Sequence, residues 1–285
     1  MRSSIILTLT ISLVFSFVSE AQKRPYKKGK ASIQKEHFTD RDKLNYEAAF
    51  FNGLRQKALG NLESAAEDFL KCIRLDGSKA APMYELAMIN YGFGKYSEAL
   101  FFIESAYEIE EDNIWYHQLL AEVYISSQKY KSAIISYKKL LKKQPGNEDW
   151  HIQLASAYLL DNQLQKAIEV YNDMEKHIGV SEALIMQKYR IHLNLKDRSG
   201  ATSELEKWIE SEPKNPKPYS LMAEMYLLEG NHEKAIDVLE RILEIDPNNG
   251  KAHLNLSELY RNNVLLLINI FLYLLYILLL YNLIR

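Results

Sequence analysis

Three histidines, His117, His151 and His253, are the residues whose type and spacing most invite a chemical reading, because each is separated from the next by a whole multiple of 34 residues. Imidazoles at a fixed period can share a transition metal only if their nitrogens converge to bonds of ~2 Å. If the period is that of stacked helical units, equivalent atoms stand on the order of 10 Å apart, and no ion can bridge them. The single cysteine, Cys72, excludes an internal disulfide framework and any multi-cysteine metal site. It reads as a small buried apolar group rather than a reactive thiol. Glu110 and Glu111 are adjacent, so they read as solvated caps and not as carboxylates facing each other across a substrate. No GxSxG elbow, HExxH pair or glycine-rich phosphate loop occurs. The residues therefore assign no catalytic group, no cofactor and no metal.

What they do assign is a period. Alanine recurs at Ala65, Ala99, Ala133, Ala167, Ala201 and Ala235, each 34 residues from the last, with no gap. With units starting at Tyr46, Ala80, Ile114, Glu148, Glu182, Pro216 and Gly250, the eighth position reads Gly53, Ala87, Ala121, Ala155, Tyr189, Ala223 and Ser257. The twenty-fourth reads Phe69, Ile103, Tyr137, Tyr171, Leu205 and Leu239, always large. Small residues let two antiparallel helices approach, and the large one fills the space beside them. Apolar groups such as Met83, Leu86 and Ala87 fall at helical spacing, a turn follows at Gly60-Asn61 or Gly94-Lys95, and Pro213 and Pro247 end the unit. One such hairpin cannot bury its own apolar face, so stacked neighbours must supply the stability.

This pattern resembles the tetratricopeptide repeat. The resemblance rests on Leu120-Ala121-x-x-Tyr124 with Ala133, Tyr137 and Pro145, and on Met222-Ala223-x-x-Tyr226 with Ala235 and Pro247. It covers residues 46–263, six full repeats and the first helix of a seventh, and implies an all-α, right-handed superhelical solenoid. Two units depart from it: Asn52 stands where an apolar residue is expected, and Lys188-Tyr189 occupy the helix-contact positions of the fifth. In this family the first helices line a concave face and bind protein or peptide partners through positions two, five, nine and twelve. Carried over, these are Tyr84 and Tyr91, then Trp115, Gln118 and Glu122, then Ile152 and Ser156. Met186, Arg190, Ser220 and Glu224 continue the row. Tyr, Trp and Arg most often dominate protein interfaces, which singles out Tyr84, Trp115 and Arg190. The lysine-asparagine pair with which some relatives grip a terminal carboxylate is missing from positions five and nine.

The ends differ from the middle. Arg2, an apolar run from Ile5 to Val18 and the small residues Ser19 and Ala21 read as a signal peptide over 1–21, hence export. Residues 22–45, with Lys23, Arg24, Lys27, Lys28 and Lys30, read as a basic disordered linker. Residues 264–281 carry only Asn269 as a strongly polar interruption. A helix of that length approaches the ~30 Å hydrocarbon core, so the segment reads as a membrane span or as the product of a shifted reading frame. The net charge of -2 and the want of any nucleic-acid motif argue against a nucleic-acid partner. Layout and repeat together suggest an exported, periplasmic or envelope-associated bacterial scaffold with no enzymatic activity. The alternative is the outer sensing portion of a membrane signalling protein.

Overall fold

The computed structural model describes residues 39–261 and 271–274. The signal-peptide reading, nearly all of the linker and most of the apolar segment 264–281 lie outside those residues. Among the described residues no helix is long and apolar enough to cross a membrane.

The described chain is all α, an array of helix-turn-helix units. Its helices are α1 (Asp40–Ala58), α2 (Leu62–Leu75), α3 (Ala80–Gly92), α4 (Tyr96–Ile109), α5 (Ile114–Ser126) and α6 (Tyr130–Lys143). They continue as α7 (Glu148–Leu160), α8 (Leu164–Ile178), α9 (Glu182–Asn194), α10 (Arg198–Ser211), α11 (Pro216–Leu228) and α12 (His232–Ile245). A further helical stretch, α13, covers 250–261. Two compact units divide at Glu47 and Ala48. In the first, α1 begins at Asp40, which corrects the linker boundary of 45. Thr39 caps that helix: its Oγ1 accepts from Asp42 N at 3.2 Å, and Asp42 Oδ2 accepts from Thr39 N at 3.2 Å. This reciprocal arrangement satisfies two otherwise orphaned donors.

In the second unit, each helix from α3 to α12 packs on the one before it in sequence, and α13 joins α12 in one apolar cluster. The six periodic alanines are wholly buried, and so, or nearly so, are the large residues paired with them from Phe69 to Leu239. At the small position of the first repeat, a Cβ on Gly53 would lie 2.8 Å from the Phe69 ring. Asn52, the polar departure there, donates to Asp68 Oδ2 at 2.5 Å, so a hydrogen bond joins α1 to α2 where the second, fourth and sixth repeats place the apolar pairs Leu86 and Phe102, Leu154 and Val170, and Met222 and Val238.

Two further columns order the connections. The residue before each of five first helices caps it: Asn113, Asn147, Ser181, Asn215 and Asn249 accept from backbone N–H groups two or three residues on, at 3.0–3.3 Å. These side chains take up donors that a helix start leaves without partners. Within every complete hairpin, the fifteenth residue has positive φ: Gly60, Gly94, Gln128, Asn162, Lys196 and Gly230, between 56° and 81°. This region is costly for a residue with a Cβ and open to glycine. Exposed Lys196 sits there at φ 58°. Lys196→Gly is therefore expected to raise unfolding stability by about 1 kcal/mol, as measured by urea denaturation. A loss would contradict this.

Candidate functional site

The first helices α3, α5, α7, α9, α11 and α13 begin 34 residues apart in sequence, and polar contacts link α1 to α3, α3 to α5, α5 to α7, α9 to α11 and α11 to α13. Lys57 Nζ of α1 pairs with Glu85 of α3 at 2.5 Å. Ser126 donates to the Tyr91 hydroxyl at 3.3 Å, and Trp150 Nε1 donates to Gln118 Oε1 at 3.4 Å. Lys217 pairs with Glu182 at 3.2 Å, and Lys251 with Glu224.

The eleven residues assigned to the first-helix face separate into two groups. Tyr84, Tyr91, Gln118, Glu122, Ser156, Met186 and Ser220 are half-buried. Tyr84 stacks on Tyr116 with ring centroids 4.9 Å apart, and burial, then Glu85 and Glu122, push its hydroxyl pKa up. Gln118 Nε2 donates to Glu122 at 3.0 Å, Ser220 donates to the Pro216 carbonyl at 2.9 Å, and Met186 packs beside Ile185 and Tyr189. Tyr84 and Tyr91 thus join α3 to α5, and Gln118 joins α5 to α7, whereas the Glu122 and Ser220 bonds stay within their own helices. Trp115, Ile152, Arg190 and Glu224 are exposed. Trp115 is 68% exposed and Ile152 41%, while Arg190 takes part in no hydrogen bond or ion pair among the described residues. An indole and an isoleucine left in water, and a guanidinium without a partner among the described residues, can desolvate against another protein.

A second exposed pair escaped the sequence reading. Phe101 of α4 and Ile135 of α6 occupy the same repeat position on second helices and are 59% and 58% exposed. The signal was present as two apolar residues 34 apart, but outside the first-helix positions.

The three periodic histidines take separate local partners. His117 stacks on Tyr107 at 4.8 Å, a ring nitrogen of His151 meets the Asn147 carbonyl oxygen at 2.9 Å, and one of His253 meets that of Pro247 at 2.9 Å. Burial, and then Lys139 and Lys143, hold the His117 pKa down at about 4, against 6.5 for the free side chain. The unfolded chain therefore binds a proton here more readily than the folded one. The contribution is complete above pH 6.5 and is lost as pH falls from there towards about 4. His117→Phe should flatten the acid limb of a stability-pH profile by on the order of 2 kcal/mol, allowing for solvent screening. An unchanged limb would contradict this. Cys72 is fully buried, and burial, then Asp68, push its thiol up to about 11. That matches the inert reading.

The fifth repeat is the largest departure. Lys188 is fully buried, its Nζ 2.9 Å from both Glu175 oxygens and 2.7 Å from Glu204 Oε2, with Asn172 Oδ1 at 3.3 Å. Lys207 adds a second cation 3.0 Å from Glu204 Oε1. Two lysines and two glutamates on α8, α9 and α10 thus balance in charge where neighbouring repeats pack apolar groups.

Comparison with known proteins agrees with the geometry. Tetratricopeptide-repeat family models match residues 56–79, 124–183 and 226–263. BBSome complex member bbs-4 of Caenorhabditis elegans is 24% identical over 220 residues, covering 76% of this chain and 42% of that protein. Interferon-induced protein with tetratricopeptide repeats 2 of Homo sapiens is 25% identical over 205 residues, covering 65% and 43%. The chain spans less than half the length of these two relatives. Among solved structures, a chain of Naa15/Naa10 bound to HypK-THB superposes with TM-score 0.60 at 17% identity, covering 78% of this chain and 35% of that one. A tetratricopeptide repeat protein from Parabacteroides merdae gives 0.51 at 17% identity, covering 78% and 88%. The matched segments, the unbroken 34-residue period and the paired helices make this chain a tetratricopeptide-repeat protein.

Proposed function

We propose that the chain is a non-enzymatic scaffold or assembly adaptor that binds a protein or peptide partner across the first-helix face. The observation that carries this reading is the exposed trio Trp115, Ile152 and Arg190 on consecutive first helices α5, α7 and α9. The Trp150–Gln118 hydrogen bond fixes the faces of α5 and α7 in advance, which lowers the ordering cost of binding. An extended segment or a partner helix fits such a row. Two similar proteins work in company: bbs-4 is a member of the BBSome complex, and Naa15/Naa10 occurs bound to HypK-THB. The leader-like residues 1–21 place the adaptor, on this reading, in a bacterial envelope, where cell fractionation should recover it outside the cytoplasm.

The experiment is a binding titration against the partner recovered from the native envelope. Trp115→Ala combined with Arg190→Glu should weaken affinity by roughly tenfold or more while circular dichroism remains unchanged. Undiminished affinity would count against the first-helix face.

The apolar segment 264–281 favours a second reading, in which the array is the outer sensing part of a membrane signalling protein. Its four described residues, Phe271 to Leu274, are helical and exposed. A sequenced reading frame that continues into further repeats would remove this alternative.

A further inference from the structure

We propose that the hairpin α7–α8 carries a site for a divalent transition metal of the zinc class, ligated by His151, Asp173 and His177. This assignment is independent of the partner-binding reading. Asp173 and His177 lie four residues apart on α8, on one face of the helix, and His151 reaches them from α7. One ring nitrogen of each imidazole and one carboxylate oxygen lie within 4.8 Å of one another. His151 Nε2 stands 3.5 Å from Asp173 Oδ2. Ligand atoms around a tetrahedral ion with bonds of ~2.0–2.2 Å are separated by roughly 3.3–3.6 Å, so that pair is already at coordination distance. With no two of the three ligand atoms more than 4.8 Å apart, His177, in solvent, has at most about 1.5 Å to close to complete the set.

The surroundings fix the ligands' protonation. His151 is buried, and its Nδ1 is 2.9 Å from the Asn147 carbonyl oxygen. Nδ1 of His177 is 2.9 Å from the Asp173 carbonyl oxygen. A carbonyl can only accept, so each imidazole donates from Nδ1, and its neutral form keeps the lone pair on Nε2. Such outer contacts orient metal-binding histidines and raise their basicity. Lys176 takes the other carboxylate oxygen, Oδ1, at 3.2 Å and leaves Oδ2 turned to His151. Two imidazoles, one carboxylate and a side open to solvent suit zinc or a neighbouring first-row ion, not calcium or magnesium. Such an ion would fasten the two helices of the fourth repeat and stabilise the folded chain by mass action.

The test titrates Zn2+ alone into the purified full chain, read by calorimetry and by the shift in Tm. The expected result is saturable binding with a raised Tm. His177→Ala and Asp173→Asn, both at exposed positions, should each lower the affinity by at least roughly tenfold and abolish the Tm shift, with unchanged circular dichroism. His253→Ala should leave both intact. Co2+ should give the visible absorption of a low-coordinate site in the parent chain and lose it in His177→Ala. Silence of the parent chain, or binding that survives both ligand substitutions, overturns the proposal.

Discussion

Lys188→Met is expected to lower the unfolding free energy by ~3–5 kcal/mol, the loss typical when one partner of a buried ionic group is removed. The ammonium has no contact with solvent and is surrounded by Glu175, Glu204 and Asn172. Removing it leaves two carboxylates sharing the partly exposed Lys207. Urea denaturation supplies the measurement, and a companion variant separates charge from shape. Position seven holds Leu86, Leu120 and Leu154 in three other repeats; position twenty-three holds Val170 and Val238 in the fourth and sixth; position twenty-eight holds Leu141 and Leu243 in the third and sixth. Lys188→Leu, Glu204→Val and Glu175→Leu together should recover most of the lost stability, since an apolar replacement of a whole buried ionic group is often neutral or stabilising. A near-silent Lys188→Met would mean the cluster is not closed to water.

Trp208→Ala is the second large effect, ~3–5 kcal/mol for an indole removed from a packed core. Trp208 is 1% exposed and packs with Ile185, Tyr189, Leu205, Met222 and Met225, joining α9, α10 and α11. Other repeats place Cys72, Ala106, Leu140, Met174 or Ile242 at this position, so the fifth repeat needs the extra volume to fill its altered interior. Trp208 Nε1 is buried without a hydrogen-bond partner among the described residues. Trp208→Phe consequently forfeits no hydrogen bond and should cost clearly less than the alanine change. Equal losses in the two variants would point to an indole N–H bond instead.

The fold was legible because close helix packing repeats itself in sequence: Ala65 to Ala235 and Phe69 to Leu239 announce both helices of every hairpin. Lys188 and Tyr189 announced an irregular fifth repeat as well. What they could not show is that Glu175 and Glu204, 13 and 16 residues away, fold onto the same ammonium. The left-handed turn residue was hidden because Gln128, Asn162 and Lys196 stand where Gly60, Gly94 and Gly230 advertise it. The helix caps were hidden because Lys79 interrupts the column of Asn45, Asn113, Asn147, Ser181, Asn215 and Asn249, and Asn45 lies inside α1 rather than before it. Partner-facing residues were the hardest to read. Position alone does not distinguish exposed Trp115 from Gln118, which is tied across to Trp150. Comparing His117, His151 and His253 between repeats also drew attention away from Asp173 and His177, which approach His151 within a single hairpin.

Site-specific photocrosslinking in intact cells tests the proposed partner-binding face most directly, with the probe placed in turn at Ile152 of α7 and at Ile135 of α6. Both side chains reach solvent, one on a first helix and the other on a second. The partner should be captured from position 152, not from 135, and Trp115→Ala with Arg190→Glu should abolish that capture. Capture from 135 with none from 152 would move the interface to the second helices and contradict the account.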